Sequence, residues 1–154
     1  MGTRGFYGFK YNKKYYMIFN LCDSYFSHLG LKLLKEIRTM IKNNEFEIWL
    51  NLFINLEIIN EYTTQKKGIV KGSFVDVLNS GYICIEKECF DKIYYQNLDG
   101  EFFYILDFDK KRFIVKKTGY RRQKYNLFNG EIDKVYYEES DGEESSECDI
   151  QPKI

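Results

Sequence analysis

A chain of 154 residues, of which 44% are hydrophobic, suits one domain around a single core. The longest apolar stretch, residues 46–59, is interrupted by two acids and two asparagines, so we expect neither a membrane-spanning helix nor a membrane partner. The net charge is zero, the four cysteines form no CxxC pair, and the start lacks the apolar segment of a signal peptide. These features favour a cytoplasmic protein with reduced thiols and exclude a zinc site of paired cysteines.

Residues 4–10 and 14–20 are predicted to form a β-hairpin, because two apolar runs flank the polar turn "YNKK". Aromatic residues make up 18% of the chain and favour strands. Both predicted strands carry apolar side chains on both faces, so we expect the hairpin to be covered on both sides. Gly5 and Gly8 stand between large aromatic residues, which predicts that neighbouring backbone packs closely against them.

Two helices and a short third one are predicted next. Apolar residues recur at helical spacing from Leu31 to about residue 42. Asn44 and Glu47 have the spacing of a capping box, which predicts a second helix whose apolar stripe extends to Ile58. The stretch 60–73 is predicted to be a loop, and residues 73–81 a short helix ended by a glycine.

The remaining residues up to 117 are predicted to form an antiparallel meander. Its strands would be residues 81–88, 92–97, 101–107 and 112–117, with a hairpin turn at residues 98–100 that contains Asp-Gly. The sequence therefore predicts an α+β fold in which the N-terminal β-hairpin belongs to a mainly antiparallel sheet with two helices packed on it.

Charge divides the chain into two parts. Residues 138–154 contain seven acids and one base, and the rest contains 22 bases and 16 acids. We expect one α+β domain over residues 1–137 and an acidic disordered tail over residues 138–154, because the tail has too little apolar content to offset the entropy of ordering.

Three motifs in register resemble those of a known group of proteins. The first two are Gly2-Thr3-Arg4-Gly5 with Gly8-Phe9, and Asn20 with Asp23-Ser24-Tyr25 and Leu29-Gly30; the third consists of Glu101, Tyr104, Leu106-Asp107, Asp109, Phe113 and Val115. Together they cover residues 2–119 and resemble a family of uncharacterised proteins encoded by large DNA viruses and fungi.

The resemblance implies a shared fold and a viral origin, but no activity that could be transferred to this chain. Two departures concern histidine. Leu21 stands where the family pattern has a histidine, and Phe26 and His28 stand where it has proline and glycine. If that histidine is catalytic in the family, this chain either lacks it or uses His28 instead.

The start of the chain suggests one catalytic hypothesis. A hydrolase with an N-terminal nucleophile uses a Thr, Ser or Cys whose own α-amine acts as the base. Thr3 begins a predicted strand and would fill that role only if the chain were cut before it. The structural alternative is that Thr3 merely begins the strand.

The loop after the hairpin suggests a second catalytic hypothesis. Asp23, Ser24 and His28 supply the residue types of a nucleophilic triad, and Asn20 and Tyr25 flank them as candidate ligand-binding residues. The alternative is that these short polar side chains close the loop by hydrogen bonds to the backbone. Members of a triad normally come from separate elements, which favours the alternative.

Three charged residues permit a binding or a structural role. Arg4 needs a carboxylate or a ligand phosphate as its partner. Asp107 and Asp109 could bind a divalent cation, or could bond their own backbone in a hairpin turn. No further residues complete a metal motif, so we expect no metal and no cofactor.

Residues 116–125, "KKTGYRRQKY", interleave five bases with two tyrosines. Arg121, Arg122 and Lys124 are therefore candidate contacts for nucleic-acid phosphates, with the tyrosines as stacking platforms. The alternative is solvated charge that protects a sheet edge. The sequence as a whole favours a binding protein whose partner is a host or viral protein; the hydrolase and nucleic-acid binding are the two alternatives.

Overall fold

The computed structural model describes residues 3–20, 22–60, 72–85, 100–137 and 152–153. The strands are β1 (Gly5–Tyr11), β2 (Lys14–Asn20), β3 (Glu57–Asn60), β4 (Tyr82–Ile85), β5 (Phe102–Asp107), β6 (Arg112–Lys117), β7 (Gln123–Asn126), β8 (Tyr136–Tyr137) and β9 (Pro152–Lys153). The helices are α1 (Leu31–Lys42), α2 (Phe46–Ile54) and α3 (Phe74–Ser80), with a π-helical turn at Phe26–Gly30 and a 3₁₀ turn at Glu131–Lys134.

The predicted N-terminal hairpin is confirmed. Strands β1 and β2 pair antiparallel, and Asn12 and Lys13 between them have φ of 55° and 68°. Two successive residues in the left-handed region are typical of the tight hairpin turn whose twist matches that of the strands. The carboxylate of Asp109 accepts hydrogen bonds from both turn amides, at 2.7 Å from Asn12 and 2.8 Å from Lys13. The turn is thereby tied to the β5–β6 connection.

The main sheet has five strands in the order β2-β1-β5-β6-β7. Strand β1 is parallel to β5, and the other three pairs are antiparallel, so the predicted α+β fold with a mainly antiparallel sheet is confirmed. Pairing β1 with β5 joins the N-terminal hairpin to the β5–β6–β7 strands and places the N-terminal strand inside the sheet.

Close packing at the two hairpin glycines is observed. A Cβ atom on Gly8 would lie 1.9 Å from the carbonyl oxygen of Tyr16. A Cβ atom on Gly5 would lie 2.6 Å from Cβ of Ser24 and 2.7 Å from the carbonyl oxygen of Phe102. Glycine is therefore required at both positions, because neighbouring backbone occupies the space that a side chain would need.

The helices pack on one face of the sheet, around a core of aromatic and aliphatic side chains. Side chains from β1, β5, β6 and β7 meet α1, α2 and α3 there, including Tyr7, Phe9, Leu33, Ile37, Trp49, Phe53, Phe74, Tyr104, Leu106, Phe113 and Tyr125. The predicted short helix is confirmed as α3. Ser73 caps it by accepting a hydrogen bond from the amide of Asp76 (3.1 Å), and Gly81 ends it with φ of 89°.

Three details of the sequence prediction are wrong. The capping box is absent, because Asn44 adopts φ of 57° at the end of α1 and α2 begins at Phe46 without a side-chain cap. Helix α2 stops at Ile54, and residues 57–60 form β3, which pairs with β4 in a separate parallel sheet. The stretch 82–117 is thus not one meander.

The predicted pairing of residues 92–97 with the strand at 101–107 falls on residues outside the described ranges. In the described structure β5 pairs with β1 on one side and with β6 on the other, and the parallel β1–β5 pairing, which aligns Gly5 with Phe102, was not predicted. Most of the predicted tail, residues 138–151, also lies outside the described residues, and Pro152–Lys153 pairs with β8.

The second face of the sheet, opposite to the helices, carries its own apolar cluster, which consists of Phe6, Tyr15, Met17, Phe103, Ile105 and Ile114. All six side chains are buried. The strand register aligns Phe19, Phe6, Phe103 and Lys116 in one row across this face. Within the part of the chain that is described, no helix is long and apolar enough to cross a membrane.

Candidate functional site

Ser24 anchors the loop that follows the hairpin. Its hydroxyl is fully buried, accepts a hydrogen bond from Nδ2 of Asn20 (2.7 Å) and donates one to the carbonyl of Asn20 (3.3 Å). Its amide donates to the carbonyl of Thr3 (3.1 Å), and its own carbonyl accepts from the hydroxyl of Tyr104 (2.7 Å). Two of these four bonds hold the loop to the end of β2, and the other two tie it to Thr3, before β1, and to β5.

The residues of the catalytic hypotheses lie in different environments, and the bond between Thr3 and Ser24 joins backbone groups only. His28 is exposed and its Nδ1 lies 3.1 Å from the hydroxyl of Ser27, while Asp23 is exposed with φ of 61°. Thr3 is only 4% exposed. Ser24 is buried against Gly5, and its hydrogen bonds give it an anchoring role in the loop. The hydrolase stays a hypothesis.

The other candidates near this loop lie at its surface. Tyr25 is half-buried, and its ring meets that of Phe102 edge-on with centroids 6.0 Å apart. Arg4 is exposed, and its carbonyl accepts a hydrogen bond from the amide of Glu101 (2.9 Å). Both therefore border the point where β1 and β5 begin.

Asp107 and Asp109 hold the β5–β6 connection in place. Oδ2 of the buried Asp107 lies 3.2 Å from Nε of Arg112, and its Oδ1 accepts from the amide of Lys110 (3.0 Å). Asp109 binds the amides of the β1–β2 turn, as described above. Among the described residues no three His, Cys, Asp or Glu side chains lie close enough together to hold a metal ion.

The strongest concentration of charge lies on the β6–β7 side of the sheet. Residues 107–126 contain eight bases and two acids, and the carboxylates of both acids already accept the hydrogen bonds just described. Five bases gather near the second face, and we call this set the cationic surface. Its members are Lys10, Lys110, Arg112, Arg122 and Lys124.

Three cations surround Lys124, which projects from β7. The pKa of Lys124 is lowered by the positive charges of Arg122 and Arg112, and to a smaller extent by burial and by Lys110. Like charges lower the pKa of an ammonium group because they make its charged form less favourable. The β6–β7 register agrees with this, because it places Arg112 and Lys124 on the same face of two paired strands.

Tyr15 connects this surface to the opposite edge of the sheet. Burial raises the pKa of its hydroxyl, whereas the neighbouring Arg122 opposes that rise through its charge and through a hydrogen bond that its guanidinium donates. The ammonium of Lys10 lies 5.2 Å from the centroid of the Tyr15 ring. Residues of β1, of β2 and of the turn before β7 thus converge at one place.

The two tyrosines of the basic stretch have different environments. Tyr125 is fully buried, its hydroxyl donates a hydrogen bond to Gln123, and burial raises its pKa. Tyr120 is 36% exposed and lies on the turn between β6 and β7, with the ammonium of Lys117 5.1 Å from its ring centroid. Only Tyr120 is thus placed for contact with a ligand.

Sequence reasoning found Arg121, Arg122 and Lys124 but missed Lys10, Lys110 and Arg112. These three lie outside the basic stretch: the β6–β7 register brings Arg112 beside it, the β1–β5–β6 register places Lys10 in the same row as Arg112, and Lys110 lies in the adjoining β5–β6 turn. Comparisons with protein-family models, with curated proteins and with solved structures found no match to this chain.

Proposed function

We propose that this protein acts by binding, and that its cationic surface holds the phosphates of a nucleic acid. The observation that carries the proposal is the strand register, which places Arg112 and Lys124 on the same face of β6 and β7, with Arg122 directly before β7; the positive charges of Arg122 and Arg112 also lower the pKa of Lys124. Crowded like charges disfavour the folded state. A polyanion neutralises them, and its binding is favoured in free energy by the release of counterions.

The kinds of side chain support phosphate as the ligand group. A guanidinium matches two phosphate oxygens with two parallel hydrogen bonds, and flexible lysines around it add point charges. The surface provides two arginines and three lysines, and its one nearby buried acid, Asp107, is already paired with Arg112. An acidic host or viral protein is the alternative partner, and the test below separates the two.

The test is a salt titration of binding to a fluorescently labelled mixed-sequence oligodeoxynucleotide, followed by anisotropy. We expect the logarithm of the affinity to fall linearly with the logarithm of salt concentration between about 50 and 200 mM. Lys110→Gln and Lys124→Gln should each reduce that slope by about one and weaken binding roughly five- to tenfold at low salt.

Lys32→Gln is the matched control, because Lys32 is also an exposed lysine but lies on α1, on the opposite side of the sheet. It should leave both slope and affinity unchanged. Affinity that does not respond to salt would contradict the proposal. Equal affinity for polyglutamate and for the oligonucleotide would favour the acidic protein partner instead.

A further inference from the structure

We infer, on the basis of the proposed nucleic-acid binding, that the ligand is single-stranded and that one of its bases stacks on the ring of Tyr120. The observation behind this inference is a juxtaposition. An exposed aromatic ring stands on a turn flanked in sequence by Lys116 and Lys117 on one side and by Arg121 and Arg122 on the other.

The turn presents the ring on a fixed support. The amide of Tyr120 donates a hydrogen bond to the carbonyl of Lys117 (2.9 Å), and the carbonyl of Tyr120 accepts one from the ammonium of Lys116. Thr118 fastens the turn to the preceding strand connection, since its amide bonds Glu101 (2.9 Å) and its hydroxyl bonds Gly100 (2.8 Å). Because the backbone under the ring is fixed in this way, stacking of a base costs little ordering of the turn.

The surroundings match the repeating chemistry of a single strand. A base offers a planar π-face, and the phosphates on either side of it need cations at short range. The ammonium of Lys117 lies 5.1 Å from the ring centroid, so it can meet a phosphate adjoining a stacked base. A duplex keeps its bases stacked on one another and therefore offers no free base face to the ring, although its phosphates remain accessible.

The buried tyrosine of the same stretch provides an internal contrast. Tyr125 packs in the helix-side core with no exposed surface and cannot contact a base. The basic stretch therefore supplies one stacking ring, and the inference depends on Tyr120 alone.

The test compares Tyr120→Ala and Tyr120→Phe on three probes of equal length: a single strand, a duplex, and an abasic single strand that keeps the phosphates. Tyr120→Ala should weaken binding to the single strand roughly 5- to 100-fold, whereas Tyr120→Phe keeps the ring and should bind like the natural protein. Removing the bases should weaken binding by the natural protein but not by Tyr120→Ala. Affinity for the duplex should be the same for all three proteins.

Several outcomes would overturn the inference, and they differ from failure of the proposed function. If Tyr120→Ala binds the single strand unchanged while Lys124→Gln still reduces the salt slope, stacking is wrong and phosphate binding stands. If no probe binds, both are wrong. Tyr120→Leu keeps apolar bulk without a π-face, so normal binding by Tyr120→Leu would also contradict stacking. Equal thermal unfolding of all the variants establishes that differences in affinity are not differences in folding.

Discussion

The guanidinium of Arg122 donates a hydrogen bond to the hydroxyl of Tyr15, although the two residues belong to opposite edges of the main sheet. Strand β2 carries Tyr15, Arg122 directly precedes β7, and three strands lie between them. In a flat sheet those edges would be about 19 Å apart, which is beyond the combined reach of the two side chains. Arg122 and Tyr15 thus interact across the second face, where Met17 and Ile105 are buried.

This bond is expected to couple the two edges energetically. Tyr15→Phe and Arg122→Gln should each lower the free energy of unfolding by about 1 kcal/mol, because each removes one partner of a half-buried hydrogen bond. The double variant should lose less than the sum of the two, and urea unfolding of all four proteins measures the difference. Strict additivity would show that the bond contributes nothing to stability.

The hairpin glycines provide a second prediction. Gly8→Ala should destabilise the fold by more than about 3 kcal/mol, because its Cβ would lie 1.9 Å from backbone that cannot move without breaking the β1–β2 ladder. Gly119→Ala is the matched control, since nothing lies within 4 Å of its Cβ and only its φ of 92° opposes the change, at about 1 kcal/mol. Equal losses of stability in the two variants would contradict the steric explanation.

Local signals in the sequence were sufficient to predict the elements whose structure depends on nearby residues. The alternation in β1 and β2, the polar turn at Asn12 and Lys13, and the glycine that ends α3 each determine their structure through nearby residues. The close approach at Gly5 and Gly8 was also predicted from the large neighbours of each glycine.

The non-local pairings were beyond that reasoning. Nothing in residues 57–60 distinguishes a short parallel strand from the end of α2, and the pairing of β1 with β5 leaves no periodic signal in either strand. For the same reason the stretch around Arg122 was identified from sequence, whereas Lys10 and Arg112 joined it only through the register of the sheet.

The buried tyrosines predict that the free energy of unfolding falls at alkaline pH. Burial is the largest cause of the raised pKa of Tyr7, Tyr15, Tyr104 and Tyr125. These hydroxyls stay protonated in the folded state but ionise near pH 10 in the unfolded state, so the folded state holds more protons. Their contribution is complete below about pH 10 and is lost as the pH rises further.

Urea unfolding between about pH 8 and pH 11 measures this loss. The absorbance of tyrosinate should rise in two stages, first from exposed tyrosines and then abruptly on unfolding. Tyr7→Phe should make the loss of stability with pH less steep, because it removes one of the raised groups. A smooth titration of every tyrosine in the folded protein would contradict the prediction.

The hydrolase hypothesis makes a prediction that differs from that of the binding proposal. If Thr3 were a nucleophile activated by its own amine, intact-mass measurement of protein from its natural source would find a chain that starts at Thr3. The binding proposal predicts no such cut. It also predicts that Ser24→Ala acts through stability, by about 1 to 2 kcal/mol, because that change removes one of the two acceptors of Nδ2 of Asn20 and leaves only the carbonyl of Cys22. A chain that starts at Thr3 would favour the enzyme.

Replacing Glu101 is predicted to strengthen oligonucleotide binding. This exposed acid lies beside the Tyr120 turn, since its carbonyl accepts a hydrogen bond from the amide of Thr118 (2.9 Å). Its negative charge repels an approaching phosphate, so Glu101→Gln should strengthen oligonucleotide binding roughly two- to threefold at low salt, with the gain vanishing at high salt through screening. Glu47→Gln, on the exposed surface of α2, is the matched control and should change nothing. If both variants gain equally, the effect reflects net charge alone, and the β6–β7 turn is not where the strand binds.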